Sequence, residues 1–287
     1  MRFTLIIPAH NEEAVIGRCL RTALAEATDP EAIEIVVAAN GCTDRTVEAA
    51  RRAAPHAKIL DLPVGSKTGA INAANRAASG FPRIYLDADI ECSFHSLAAM
   101  ARILSEPGVM VAAPAIRLDL SHGSRLIRLY YAAWMKQPFA KAGKGGAGCY
   151  GLSKAALQQV GEFPPIIGDD IWIHTRFPDA QRRLVDRDAQ GREVYSIVRP
   201  PSTALQQVKV EARRMRGNAE VKRNYSSPYV DSANRGGGIA GSLRSGASPL
   251  ELAVFYGVKM LVRVEMRRSN LRSDSAGWTR DLSSRNL

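Results

Sequence analysis

Five short apolar runs, spaced by helix-type stretches and turns, constrain this chain more than any other feature. "FTLIIPA" (3–9), "IEIVVAA" (33–39), "AKILDL" (57–62), "RIYLDADI" (83–90) and "VMVAAPAI" (109–116) read as strands. Asn11 is placed to cap a helix after the first strand, with Glu12 and Glu13 in its first turn. Asn40-Gly41 closes the second strand. Thr43 or Asp44 then starts a helix running to about Ala54. "GSKTGAINAANRAASG" (65–80) reads as a helix of small residues, and Leu97–Leu104 as another. Strands alternating with helices predict parallel pairing and right-handed crossovers. In such sheets ligands sit outside the carboxyl ends of the strands. That rule gathers Asn11, Asn40, Gly65 to Lys67, and Asp87 to Asp89 along one edge.

After residue 117 the pattern changes. "SRLIRLYYAAWMKQP" (124–138) puts Leu126, Ile127, Tyr130, Ala133 and Trp134 on one helical face, with Arg125, Arg128 and Lys136 on the other. "GKGGAGCYGLSKAALQQVG" (143–161) reads as a glycine-rich loop and short strand leading into a helix. "GDDIWIHTRF" (168–177) begins with a helix-capping pair, and 180–192 reads as a charged turn. Glycines and serines over 234–248 indicate a flexible linker. Ser248-Pro249-Leu250-Glu251 has a capping-box arrangement with proline at the first helical position, opening a helix to about Arg268. The tail beyond Asn270 is polar.

Composition bounds the function. With 287 residues and 46% hydrophobic content the chain can bury a substantial core. No 18-residue apolar run is free of charge, and the N-terminus shows no signal-peptide pattern. The four cysteines have no metal-type spacing and read as reduced thiols of a cytoplasmic protein. Net charge is +11. From Gln206 onward 15 Lys+Arg face 7 Asp+Glu, a net of +8. Such a balance suits an anionic membrane surface, phosphorylated substrates or a solvated basic face. No nucleic-acid recognition motif accompanies it.

The chemistry centres on "LDAD" (86–89). Alternation along a strand would point Asp87 and Asp89 the same way, flanking Ala88. Two close carboxylates repel, which is costly unless a cation sits between them. Oxygen donors at this density suit Mg²⁺ or Mn²⁺, with substrate phosphates completing the shell. The alternative is a helix cap plus an exposed turn acid. "GSKT" (65–68) lacks the glycine spacing of a phosphate-binding P-loop.

Six segments together resemble the family 2 glycosyltransferases, inverting enzymes of GT-A fold. They are "LIIPAHNEE" (5–13), "IVVAANGCTDRT" (35–46), "GSKTGAINAAN" (65–75), "YLDADI" (85–90), "GGAGCYGLSKAALQQVGEF" (145–163) and "GDDIWIHTRF" (168–177), in the family's order across about 1–180. The resemblance implies an α/β, Rossmann-like nucleotide-diphospho-sugar transferase. Its mixed, mostly parallel sheet is flanked by helices and carries a C-terminal helical extension. It implies a nucleotide-sugar-binding half at 1–116 and an acceptor and catalytic half at 117–230. The linker 231–248 and a helix with a polar tail, 249–287, follow.

The same resemblance assigns roles. Asp89 is the principal ligand of Mg²⁺ or Mn²⁺, with Asp87 near the ribose and the metal. Pro8, His10, Asn11 and Glu12 line the nucleotide pocket, Ala88 lies beside it, and Lys67 neutralises phosphate or steadies the base. Asp170 is the base that takes the proton from the acceptor hydroxyl, and Asp169 stands where the family has Glu. Departures accompany these matches. Ala39 stands where the family often has an Asp, leaving Asn40 to meet a base edge. Trp172 replaces the last acid of the E-D-x-D pattern. "RRMRG" (213–217) keeps Arg214 and Arg216 of a processive motif as candidate diphosphate contacts but lacks its Gln and Trp, which argues against polymer synthesis.

The expected activity is therefore non-processive transfer from a UDP- or GDP-sugar to a saccharide or lipid-linked acceptor (a hydroxyl or a lipid phosphate), in cell-envelope, exopolysaccharide or glycolipid synthesis. A nucleotidylyltransferase is the competing enzyme, disfavoured because Pro-Ala-His-Asn-Glu-Glu follows the first strand in place of a glycine-rich loop. A degenerate, purely binding protein is the third reading. Helices 124–138 and 249–268 raise a further choice. Leu250, Val254, Gly257, Leu261 and Val264 at helical spacing fit a core or a homodimer face. The accompanying cations fit peripheral contact with an anionic inner leaflet, at about 1 kcal/mol each.

Overall fold

The computed structural model of the protein describes residues 2–27, 33–137, 148–229 and 238–270. It contains two compact units, Met1–Arg117 with Gly145–Val198, and Leu118–Lys144 with Arg199–Leu287. The chain leaves the first unit after Arg117 and then returns to it for Gly145–Val198. The reason is strand pairing. β4 (Arg83–Leu86) is bordered by β1 (Phe3–Ala9) on one side and by β7 (Cys149–Leu152) on the other, so the later segment is needed to cover its edge.

The first unit is built on one sheet in the order β3 (Lys58–Leu62), β2 (Ile33–Asn40), β1, β4, β7, β6 (Val111–Leu118), β9 (Tyr195–Val198), β5 (Glu91–Cys92), with β8 (Arg182–Val185) beside β6. β2 (Ile33–Asn40) and β3 (Lys58–Leu62) continue parallel from β1, while β7 runs antiparallel to β4 and to β6 (Val111–Leu118). All seven residues of β1 are buried, as a central strand covered on both faces requires. α1 (Ile16–Leu24), α2 (Thr46–Ala53) and α4 (Phe94–Leu104) pack Ile16, Leu20, Ala50, Leu97 and Met100 into the same core as Leu5, Ile7, Val37 and Leu86. α3 (Lys67–Ala77) is capped by Ser66, whose Oγ accepts from the Gly69 N–H at 3.1 Å, and α6 (Lys154–Val160) by Ser153, whose Oγ accepts from the Ala156 N–H at 3.2 Å.

Several local expectations give way. The fourth strand ends at Leu86: Asp87 N–H donates to Gly148 O at 2.8 Å, and Ile90 N–H turns back to Asp87 O at 3.0 Å. Strand alternation therefore does not orient Asp87 and Asp89, which lie on a turn. Asn11 does not cap α1, which starts at Ile16 behind Val15. α2 starts at Thr46, with the Asp44 carboxylate accepting its N–H at 3.0 Å. The charged turn at 180–192 contains β8 (Arg182–Val185), and β9 (Tyr195–Val198) pairs with β5 (Glu91–Cys92). The arginines in β8 hide its periodicity.

The second unit packs three helices, α5 (Arg125–Met135), α8 (Ala204–Asn224) and α10 (Pro249–Asn270). Its core holds Tyr130, Ala133, Val208, Ala212, Leu252, Phe255, Val258 and Val262. Tyr130 stacks on Phe255 with centroids 5.3 Å apart. The buried carboxylate of Glu211 pairs with Arg214 at 2.8 Å and with Lys259. The buried stripe of α10 differs from the expected one: Leu250, Leu261 and Val264 are exposed. Within the expected linker, 238–244 form a short helix, α9, and 231–237 lie outside the described residues. Tertiary contacts override the glycines there, since buried Ser242 accepts from Gln137 Nε2 at 2.8 Å. The glycine-rich loop at 143–147 and the polar tail also lie outside the described residues. Among the described residues no helix is long and apolar enough to cross a membrane.

Candidate active site

The turns after β1, β2 and β3 interlock. Asn11 adopts a left-handed conformation, φ 51°. Its Oδ1 accepts the Thr43 N–H at 2.6 Å and the Thr43 hydroxyl at 3.3 Å, which compensates for that conformation. Glu12 N–H donates to Thr46 Oγ1 at 2.6 Å, and the imidazole of His10 meets Asn40 O. Gly41 has φ +56°, and a Cβ there would lie 2.6 Å from Gly65 N, so only glycine lets these two turns approach. Pro8 is buried within β1, level with Ala38.

Asn40 does not present itself to a base edge. It is fully buried, its Nδ2 donates to Ala9 O at 2.8 Å and Ala38 O at 3.2 Å, and its Oδ1 accepts from Ser66 N–H at 3.0 Å. It braces the turn that leads into α3. This follows from its place as the last residue of β2, where its amide must be satisfied internally.

Ser66 delivers Lys67 to the first position of α3. The Lys67 ammonium lies 2.7 Å from Asp87 Oδ1 and 3.0 Å from Asp169 Oδ1. A single cation thus joins the turn after β4 to the first turn of α7 (Asp169–His174). Burial pulls the lysine pKa down, but Asp169 and Asp87 outweigh it and hold the ammonium above its ordinary range. Asp169 is buried and also accepts from Tyr150 Oη at 3.0 Å. Tyr150, on β7, stacks on Tyr85 with centroids 5.0 Å apart. Burial, and then the Asp169 charge, raise the Tyr150 phenol well above its usual range. Sequence reasoning missed Tyr150, because a tyrosine in a short apolar strand has no signal marking it as a carboxylate partner.

Asp170 is less buried than Asp169, and its Oδ1 accepts from Ile171 N–H at 2.7 Å. Burial and the neighbouring Asp169 charge push its pKa up to about 6, against the pull of Lys67. Burial also raises Asp87, which Lys67 lowers and which Asp169 and Asp89 raise further. With all groups ionised, Asp87, Asp89, Asp169 and Asp170 against Lys67 leave the cluster at −3. Among the described residues no three His, Cys, Asp or Glu side chains are placed to hold a metal by themselves. The hard oxygen donors and unbalanced negative charge nonetheless fit Mg²⁺ or Mn²⁺ whose remaining ligands come from phosphate and water. Arg214 and Arg216 belong to α8 in the second unit, where Arg214 is paired with Glu211.

The profile described as Glycosyl transferase family 2 matches residues 4–156. The chain belongs to that family. As a glycosyltransferase it departs from the nucleotidylyltransferase alternative. The matched span includes Asp87, Asp89 and Tyr150 but stops before Asp169 and Asp170. No curated protein sequence matches the chain. Its fold is that of solved GT-A glycosyltransferases. The mannosyltransferase of Pyrobaculum calidifontis in complex with GDP-Man and Mn²⁺ aligns with a TM-score of 0.60 and 18% identity, over 96% of this chain and 76% of that one. Glucosyl-3-phosphoglycerate synthase of Mycobacterium tuberculosis, in complex with Mn²⁺, UDP-glucose and phosphoglyceric acid, aligns with a TM-score of 0.55 and 17% identity, over 77% and 79% of the two chains.

Proposed function

We propose that this glycosyltransferase moves a sugar from a UDP- or GDP-sugar to an acceptor hydroxyl with inversion at the anomeric carbon. The observation that carries the reading is the position of Lys67, which draws the Asp-x-Asp turn and the Asp169-Asp170 pair into one cluster. Donor and acceptor chemistry then meet at one place. Two structures of like fold hold GDP-Man or UDP-glucose together with Mn²⁺, which supports the donor class.

Asp87 and Asp89 would hold Mg²⁺ or Mn²⁺, which when bound offsets the charge of the diphosphate leaving group. The net charge of the cluster makes that need concrete, since a diphosphate could not settle beside −3 without added positive charge. Asp170 takes the proton as the acceptor oxygen bonds to the anomeric carbon and the bond to the diphosphate breaks. Its pKa of about 6 leaves it ionised at neutral pH yet more basic than an ordinary Asp. Asp169, held by Tyr150 and Lys67, orients the start of α7 and thereby Asp170. His10, Asn11 and Glu12 flank the nucleotide, and the loop held by Asn40 supports the phosphates.

Thermal melts with UDP and GDP, each with and without Mn²⁺, test the reading. One nucleotide should stabilise the protein only when metal is present, by about 2.7 kcal/mol at a hundred times Kd. Asp89→Ala should abolish that metal dependence. Equal stabilisation with and without metal in the wild type would count against the proposal.

A further inference from the structure

α10 carries two apolar stripes. Leu252, Phe255, Val258 and Val262 enter the core of the second unit. At about 100° per residue, a second row lies on the opposite side of the helix. It consists of Leu250, Ala253, Met260, Leu261 and Val264, all exposed, with Leu250 at 54%, Met260 at 62% and Leu261 at 51% relative accessibility. A helix that covers a core needs one such stripe, and its other face is ordinarily polar. Here the outward face stays apolar for nearly its whole length.

The charges on this helix are sorted. The acids turn inward or sideways: Glu251 is half-buried and bound to Lys136 at 2.8 Å, and Glu265 is half-buried. Lys259 is committed to buried Glu211. The exposed charged residues of α10 are Arg263, Arg267 and Arg268, and no exposed acid accompanies them. An apolar row edged only by arginines is complementary to a surface that is both apolar and anionic. A second copy of the same face would bring three arginines toward three arginines.

We propose that the outward face of α10 docks on an anionic phospholipid bilayer, with Leu250, Met260, Leu261 and Val264 entering the headgroup boundary and Arg263, Arg267 and Arg268 meeting lipid phosphates. The helix lies in the plane of the surface and does not span it. This face is independent of the aspartate cluster, so the proposal stands or falls apart from the transfer chemistry.

The test is flotation of the full chain with vesicles of phosphatidylcholine alone and of phosphatidylcholine with phosphatidylglycerol, at low and high salt. The protein should float with the anionic vesicles and be released as salt shortens the screening length from about 8 Å to about 3 Å. Arg263→Gln/Arg267→Gln/Arg268→Gln should weaken binding roughly a hundredfold, about fivefold per cation. Met260→Ser/Leu261→Ser should abolish binding to anionic vesicles. Both sets alter exposed side chains, so thermal melts should match the wild type. Three results would overturn the proposal. One is failure of the wild-type chain to bind anionic vesicles. Another is binding unchanged by both sets of substitutions. The third is a wild-type dimer in sedimentation velocity that Met260→Ser/Leu261→Ser converts to monomer without any lipid binding, which would assign the face to a second copy.

Discussion

Asp170→Asn separates catalysis from stability in a way the charge cluster makes quantitative. In the folded protein the carboxyl is pushed from 3.8 to about 6 by burial and by Asp169. At 1.36 kcal/mol per pH unit this is a penalty of about 3 kcal/mol for ionised Asp170, or on the order of 1–3 kcal/mol once the charges around it readjust. A raised carboxylate stabilises the fold only while it is protonated. Its contribution is fully present below about pH 3.8 and is lost as pH rises through about 6. Asparagine keeps the shape and carries no charge. The variant should therefore melt higher than the wild type at pH 8, by roughly 2–6 °C for a chain of this size, and the advantage should vanish near pH 4. Removing the base should at the same time lower turnover by about 10²–10⁴-fold, with donor binding intact. The assays are thermal melts across pH and initial rates with a saturating donor. A variant that melts lower than wild type at pH 8 would refute the electrostatic account. Turnover within tenfold of wild type would refute the assignment of the base.

Other substitutions probe the supports of the site. Tyr150→Phe removes the hydroxyl that donates to Asp169 and should cost about 1.5–3 kcal/mol in urea unfolding, with a smaller loss of turnover than Asp170→Asn. Gly148→Ala places a Cβ 2.6 Å from Ile90 Cγ1 and 3.1 Å from Asp87 Oδ2 at φ +78°; it should cost about 1–3 kcal/mol and weaken Mn²⁺ binding measured by calorimetry. Glu211→Gln leaves Arg214 and Lys259 without their carboxylate and should lower stability by about 3 kcal/mol at pH 7. Because those cations outweigh burial and depress the Glu211 pKa, that deficit should shrink as pH falls through the folded value, and melts from pH 7 to 3 would show it.

The central strands were legible because β1 is buried along its whole length and β2 at every residue but Glu34, so both appear as apolar runs. The turns were legible as places where ligands gather, but their internal geometry was not. Asn11 and Asn40 both read as ligand contacts, and the structure uses both amides to bind one turn to the next. An amide's partner depends on which backbone groups lie nearby in space, and periodicity carries no trace of that. β8 escaped notice since two of its four residues are arginine and two are exposed, and among the described residues it pairs only with β6. α8 was overlooked although Thr203 and Gln206 form a capping box that the sequence displays. On α10 the spacing correctly indicated a helix yet picked the wrong stripe, because both faces are apolar and only packing distinguishes them.

Lys67 shows how a broken local rule can point to function. It is the first residue of α3, where the helix dipole favours an anion and a cation costs about 0.3–1 kcal/mol. Nothing in α3 itself repays that cost. The compensation comes from two carboxylates on other elements, Asp87 beyond β4 and Asp169 at the start of α7. A buried ion pair of this kind is seldom the most stabilising choice, since desolvation consumes much of the attraction. Hydrophobic residues of equal volume would hold β4, α3 and α7 together at least as well. What they could not do is keep several aspartates ionised within reach of one another. The ammonium makes that possible, and on the proposed function it leaves the residual negative charge that a further cation would offset when an anionic donor arrives. Local preference, fold stability and site chemistry thus pull in different directions at residue 67, and the last of these prevailed.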